Sequence, residues 1–230
     1  IRSGMMSNDA ATPSRVIYTN YDASTFPLPK SGKLFDAIIC DVPCGGDGTI
    51  RKDIHILPMW SPNISLAIHD LQLKILLRAL CLVKVGGVVC YSTCSLNPIE
   101  DEAVVSAALL AACRDDDNNE NDSDDALPSF ELLDWPTDML PGFIRRPGVC
   151  DWKVAFYDQD GNESEDKDDD IAKLTFVDSY ENALASGMSK AVSVKSTYWP
   201  KLSENKRMRI DRCTRLLPQD QDTGGFFLAL

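Results

Sequence analysis

Apolar residues along this chain fall into short runs whose period changes from one to the next. Phe35-Asp-Ala-Ile-Ile-Cys40 and Val88-Val-Cys-Tyr91 are nearly continuous apolar stretches, the pattern of strands buried on both faces of a parallel sheet. Between them, Leu66–Val83 takes up helical spacing, with Leu73, Leu76, Leu77 and Leu80 on one face and Gly86-Gly87 where a helix must stop. A second helix is announced by Asn97 as a cap, Pro98 at the first helical position and Glu100 completing a capping-box-like pair with Asn97. Ile99, Ala103, Val104, Ala107 and Leu110 continue it. Arg15–Thr19 reads as a further short strand before the polar turn Asn20–Ala23. Arg212–Leu217 and Phe226–Leu230 read as two strands joined by a turn at Thr223–Gly225. Strands alternating with helices predict the α/β class. Ligands of open parallel sheets bind beyond the carboxyl ends of strands, where Asp22, Asp41 and Cys94 would all lie.

Charge sharpens this picture. The 230 residues carry a formal net charge of -12, which argues against a nucleic-acid partner. Yet Asp115–Asp125 holds seven acids, and Asp158–Asp170 holds eight together with Lys167. Setting both aside leaves 20 acids against 22 bases. The acidity belongs to two low-complexity stretches, expected to be disordered insertions at 114–126 and 158–171. Neither has the ligand and glycine spacing of a calcium loop. No apolar run approaches the ~20 residues that span a bilayer, and no signal peptide is visible. Ile1 in place of Met, and a final run that stops within a strand, lead to the expectation that both ends are cut. Residues 1–14 are then an unassigned lead-in and 15–230 a partial catalytic domain. Eight cysteines in such a chain are expected as reduced thiols rather than a disulfide framework.

Two of them sit in tight turns after buried strands, in Asp41-Val-Pro-Cys-Gly-Gly-Asp-Gly-Thr49 and Tyr91-Ser-Thr-Cys-Ser-Leu-Asn-Pro-Ile-Glu100. These segments resemble the Pro-Cys and Thr-Cys motifs of the Nop/Sun family of RNA cytosine-5 methyltransferases. Asp47–Lys52, Pro147–Val154, Ser196–Pro200, Arg212–Pro218 and Gly224–Phe227 resemble its eukaryotic tRNA-modifying branch. The likeness runs from about Arg15 onward, the acidic stretches excepted. It implies a Rossmann-like, doubly wound methyltransferase sheet lacking its N-terminal strands. It also implies methyl transfer from S-adenosyl-L-methionine to carbon 5 of cytosine in RNA, foremost tRNA, by an enzyme of the nucleus or nucleolus, with the cytoplasm as a further location. No obligate protein partner or membrane association is evident.

By the same resemblance, Cys94 attacks carbon 6 of the base and Cys44 assists release of the methylated RNA. Asp41 contacts the cytosine edge and lies close to the cofactor, Pro43 shapes the pocket floor, and Asp22 reads the adenine amino group of the cofactor. The chemistry suits these residue types. Carbon 5 of cytosine is a poor nucleophile until a thiolate adds at carbon 6, and a thiolate is also a competent leaving group. A helix beginning just after Cys94 would favour its thiolate form. The base must leave its stack, and Arg51, Lys52, Arg145, Arg146 and Lys206–Arg209 are candidates for holding the RNA backbone.

The pattern has departures. The family's Gly-rich cofactor loop belongs upstream of Asp22, and Ile1–Pro13 has a single glycine. Gly45 stands where the tRNA branch usually has serine, Gln219 and Asp220 where the family often has histidine, and the branch's C-terminal RNA-binding domain does not follow Leu230. Three other readings stand beside the enzyme. One is a catalytically inactive RNA-binding fragment. Another is a structural zinc module using Cys40, Cys44, Cys90 and Cys94 as two C-x3-C pairs. The third is a DNA cytosine methyltransferase, which attacks through the Pro-Cys cysteine and has no Thr-Cys partner. Cys40, Cys81, Cys90, Cys113, Cys150 and Cys213 read as packing, and His55 and His69 as isolated residues.

Overall fold

The computed structural model describes residues 16–112, 130–136, 140–157, 174–186 and 193–230. The lead-in at 1–14, both acidic insertions and Cys113 lie outside the described residues. In chain order the elements are β1 (Phe35–Asp41), α1 (Pro62–Leu82), β2 (Val83–Thr93), α2 (Glu102–Ala112), β3 (Arg146–Pro147), β4 (Val154–Tyr157), β5 (Leu174–Val177), α3 (Tyr180–Ala185), α4 (Leu202–Arg207), β6 (Thr214–Leu216), α5 (Pro218–Gln221) and β7 (Phe226–Ala229).

The main sheet has the order β1-β2-β7-β6-β3. β1 and β2 are parallel neighbours, and every other pair in the sheet is antiparallel. β1, β2 and β6 therefore run one way, and β7 lies reversed between β2 and β6. The α/β expectation holds, in a mixed sheet rather than a purely parallel one. β4 and β5 form a separate antiparallel pair.

α1 begins with Pro62 at its first position, where a missing N–H costs nothing, and has no glycine or proline inside. It stops at Leu82, four residues before the predicted glycine stop. Val83 is already extended and pairs with Phe35, so helix passes straight into strand. Gly86 and Gly87 instead serve an irregularity in β2, where pairing jumps from Phe35↔Val83 to Ala37↔Val88. Gly86 takes a left-handed φ of 74°, and a side chain at Gly87 would meet the Asp36 carbonyl at 2.8 Å.

Helices α1 and α2 lie together on one face of the sheet. Leu76 and Ala79 of α1 share a core with Val104, Val105, Ala108 and Leu109 of α2, and with Cys40, Tyr91, Phe227 and Ala229 from the strands. β1 differs from expectation on its other face. Ile39 is 79% exposed, and among the described residues β1 pairs only with β2. Of the predicted strand at Arg15–Thr19, the described part, Val16–Thr19, is exposed and forms no strand. A second core joins Leu66, Ile99, Val154, Phe156, Val177, Ala183, Tyr198 and Trp199. There the Trp199 indole donates to the Val177 carbonyl, and the Tyr198 hydroxyl to the Leu66 carbonyl.

Three consecutive acids, Glu100 to Glu102, lead into α2, and all are fully buried. Glu102 accepts from the Arg215 guanidinium and from the Val149 N–H. Arg215 also donates to the Leu96 carbonyl at 2.8 Å, tying β6 to the segment after Cys94. Asp101 accepts from Thr93 Oγ1 at 2.6 Å. Burial first, and the Glu102 carboxylate next, push its carboxyl well above the usual carboxylate range. The folded state thus holds a proton at Asp101 that the unfolded chain releases above its ordinary value of 3.8. The stability Asp101 contributes is complete below that value and is lost as pH rises toward the folded pKa. Asp101→Asn removes this dependence, because its amide can donate to Thr93 and turn its oxygen toward Arg215. Urea midpoints compared from about pH 4 to about pH 8 should favour the variant increasingly as pH rises. An offset constant across that range contradicts the assignment.

Candidate active site

Parallel pairing of β1 with β2 brings their carboxyl ends out side by side. Asp41 is in register with Ser92, and its Oδ1 accepts from the Ser92 hydroxyl at 2.9 Å. The loops that follow, 41–49 and 91–100, are the two singled out in the sequence, and they meet at their cysteines. Cys44 Sγ and Cys94 Sγ are 3.0 Å apart, in hydrogen-bond contact. Burial first, then the contact with Cys94, push the Cys44 thiol up to about 12. Cys44 therefore keeps its proton at neutral pH, and either sulfur can be the donor in this contact.

The backbone around the sulfurs is closely fitted. Val42 N donates to the Ser92 carbonyl, Gly48 N to the Cys94 carbonyl at 2.9 Å, and Gly225 N to the Gly48 carbonyl at 2.7 Å. Asp47 spans the same gap with its side chain, accepting from Ser95 Oγ at 2.6 Å and Leu96 N at 2.9 Å. Gly46 supplies the left-handed turn, with φ 74°. A Cβ at Gly48 would stand 2.7 Å from the carbonyl oxygens of both Cys94 and Gly225, so three strands of backbone meet where no side chain fits. At Gly45 a Cβ would stand 2.8 Å from Glu100 Oε1, so the serine usual in the tRNA branch would have to displace that carboxylate.

The other predicted residues divide into two groups. Asp41 stays with the cysteines and also lines a cavity of about 440 Å³ that runs along β1 past Pro43 to Ala23 and Phe26. Asp22, next to Ala23, is exposed and caps its own turn, accepting from Ser24 Oγ at 2.7 Å and Ser24 N at 2.9 Å. Those bonds, the hydroxyl first, hold it below the usual carboxylate range. It is at the cavity's far side and is not part of the cysteine cluster. Of the basic candidates, Arg51 pairs with Asp222, Arg146 with Asp220, Arg207 with Glu204 and Arg209 with Asp211. Lys52 approaches Gly224, on the rim of the cysteine loops.

Two expectations about Glu100 and its helix change. α2 begins at Glu102, and residues 98–101 form a turn, so no helix N-terminus starts directly behind Cys94. Asn97 caps this turn through Ile99 N, but Glu100 does not reach back to it. The Asn97 N–H goes to Ser95 Oγ instead, and the Glu100 carboxylate points inward. The zinc pairing is not formed: Cys44 and Cys94 face each other, and among the described residues no group of three or more His, Cys, Asp or Glu could hold a metal ion. His69 is a buried structural residue, bonded to the Ile99 carbonyl and Thr197.

Sequence reading missed Asp47, Glu100 and Gln72. Asp47 lies inside the quoted loop, and a carboxylate between glycines of a tight turn is the signal that was available. Gln72, which donates to the Pro43 carbonyl at 2.9 Å, carries no sequence signal beyond a polar residue on an apolar helix. Gly48→Ala should cost about 1–3 kcal/mol by overpacking. Urea unfolding reads this directly, and an unchanged midpoint contradicts the described fit of the three backbones.

Residues 5–127, more than half of the 230, match the family model described as 16S rRNA methyltransferase RsmB/F. The chain is 37% identical over 232 residues to the multisite-specific tRNA:(cytosine-C(5))-methyltransferase of Schizosaccharomyces pombe, covering 94% of this chain and 29% of that protein. It is 34% identical to the multisite-specific tRNA:(cytosine-C(5))-methyltransferase of Saccharomyces cerevisiae, covering 94% of this chain and 27% of that protein. It is also 34% identical to the tRNA (cytosine(34)-C(5))-methyltransferase of Drosophila melanogaster, covering 94% and 26%. The chain thus spans less than a third of the length of these curated relatives. Since the family match takes in both cysteine loops, the chain belongs to the RsmB/F methyltransferase family, the Nop/Sun family that those loops resemble.

Proposed function

We propose that the protein methylates carbon 5 of cytosine in RNA, and specifically in tRNA, through a covalent bond between Cys94 and carbon 6 of the base. The observation that carries this reading is the pair of thiols at 3.0 Å, delivered by two loops from adjacent parallel strands. The relatives named above, tRNA cytosine-C5 methyltransferases similar over 94% of the chain, support the substrate class. The tRNA-branch resemblance also carries the proposed nuclear or nucleolar location.

The residues divide the work as follows. The Cys94 sulfur bonds to carbon 6 of a cytosine drawn out of its stack, which makes carbon 5 electron-rich. Asp41, exposed at the end of β1 and steadied by Ser92, stands at the ring edge, where it would accept from the amino group of the base. Carbon 5 then loses its proton to a base, the sulfur–carbon bond breaks, and its electron pair returns to Cys94. Cys44, protonated and in contact with Cys94, serves that release.

The methyl donor is S-adenosyl-L-methionine. The 440 Å³ cavity fits it in chemistry, because its lining is largely apolar, Pro43 and Phe26 among it, and it carries the Asp41 carboxylate at the end nearest the cysteines. Asp41 would hold the cofactor's cationic end, and Asp22, beside Ala23, its adenine amino group. When bound, the cofactor supplies an electrophilic methyl group to carbon 5.

The test uses the intact protein, tRNA and methyl-tritiated cofactor. Cys94→Ala should lower methyl transfer by more than about 1,000-fold. Cys44→Ala should instead accumulate a protein–RNA adduct that survives a denaturing gel. Transfer at the normal rate by Cys94→Ala overturns the proposal, and an adduct retained in Cys94→Ala moves the attack to Cys44, the DNA-methyltransferase arrangement.

A further inference from the structure

Glu100 has no part in the chemistry above, yet its carboxylate joins the two cysteine loops from the inner side, alongside the Asp47 and Gly48 contacts. The side chain is fully buried. Oε2 accepts from Gly45 N at 2.8 Å and Gln72 Nε2 at 3.0 Å. Oε1 accepts from Ser65 Oγ at 2.6 Å and lies 3.0 Å from Ser95 Oγ. Gly45 directly follows Cys44, and Ser95 directly follows Cys94. Gln72 reaches back to the Pro43 carbonyl, just before Cys44, and the Tyr91 hydroxyl fixes the Glu100 carbonyl at 2.6 Å. The single Ser95 hydroxyl hydrogen lies between Glu100 Oε1 and Asp47 Oδ1, so the two carboxylates brace the residue after Cys94 from opposite loops.

A carboxylate in such a place is costly. Taking it out of water costs several kcal/mol unless donors or a cation replace the solvent. Among the described residues no lysine or arginine pairs with Glu100, so its compensation comes from neutral groups: three full donors and the Ser95 hydroxyl that it shares with Asp47. Two of these come from α1 and two from the loops that carry the sulfurs. A neutral isostere would lose this pattern, because an amide presents an N–H to partners that themselves donate.

We propose that Glu100 is the positioning residue that sets the separation of the Cys44 and Cys94 sulfurs. The inference rests on the reading of Cys94 as nucleophile and Cys44 as its release partner. Its geometric content, that Glu100 governs the sulfur spacing, can be measured without RNA or cofactor.

The ruler is disulfide formation driven by diamide in the intact protein. The two thiols give up two electrons and two protons to diamide, which becomes the hydrazine, and a Cys44–Cys94 bond forms that peptide mass mapping identifies. The rate depends on how often the sulfurs meet. Glu100→Ala should slow it by at least about tenfold, and should lower kcat for tRNA methylation by about 100-fold with KM for tRNA within about threefold. Asn205→Ala serves as a control for general loosening. It breaks a buried network with Ser106 and the Cys150 carbonyl remote from the sulfurs, and should leave the disulfide rate unchanged. If Glu100→Ala does not fold, Glu100→Gln decides by the same two readouts. A wild-type disulfide rate in a folded Glu100 variant overturns the proposal, whatever happens to kcat, and so does an equal slowing in Asn205→Ala. A slowed disulfide together with no methyl transfer by the wild-type protein leaves the positioning role standing and removes the methyltransferase reading.

Discussion

Two sulfur atoms 50 residues apart in sequence can rest 3.0 Å from each other here because β1 and β2 are parallel neighbours in register at their carboxyl ends. Antiparallel strands would send the two loops to opposite edges of the sheet. Parallel strands need a long crossover, and α1 supplies it, entering from Ser61 and passing into β2 without a loop. The same helix contributes Ser65 and Gln72, which hold the inner side of both loops. The crossover required by topology is thus also the wall of the site. β7 closes the other side, since Gly225 must approach Gly48 so closely that neither position can carry a side chain without a shift of backbone.

Three consecutive buried carboxylates sit behind these loops, and each meets the cost of burial differently. Glu100 is surrounded by neutral donors. Asp101 keeps a proton, which burial and Glu102 both favour. Glu102 is paired with Arg215, whose guanidinium also lies over the Phe227 ring with 5.7 Å to its centroid. The order along the chain matters. Glu102 meets Arg215 of β6, Asp101 meets Thr93 behind Cys94 and lies 3.3 Å from the same guanidinium, and Glu100, without a cation, contacts Gly45 and Ser95, the residues next to the two cysteines. A buried cation beside the cysteines would favour thiolate indiscriminately. Neutral donors fix geometry without adding positive charge at the sulfur pair.

Much of this was legible in the sequence, and the failures have physical causes. Both cysteine loops, the strand before each, α1 and the β6–β7 pair follow from apolar runs and turn residues. β1 was read as buried on both faces because its residues are nearly all apolar, but a run of that kind records what a strand can pair with, and Ile39 is exposed here. The start of α2 was placed at Asn97 and Pro98 because their chemistry is that of a helix start. A helical turn does form at 98–101, but tertiary donors capture the Glu100 side chain that the local capping pair required. Local rules fail at this residue because long-range contacts outbid them, as expected where a site is assembled. The basic residues were read as free to meet phosphate, and most are held by acids whose proximity the linear sequence does not reveal.

The asymmetry between the two cysteines follows from the surroundings already described. Two thiolates at this distance would repel strongly, so at most one sulfur is ionised at a time, and the pair titrates as a unit. Burial, and then the contact with Cys94, push the Cys44 thiol up to about 12. Under the proposed reading of Cys94 as nucleophile, a proton shared in this contact would stabilise negative charge on Cys94 at two moments: before the sulfur attacks, and again when it departs from the base. Cys44 need not move or touch the substrate to do this. It needs only the fixed spacing that the loops, Gly48 and Glu100 impose, and the protein commits a buried carboxylate to a place where an apolar side chain would be cheaper to bury.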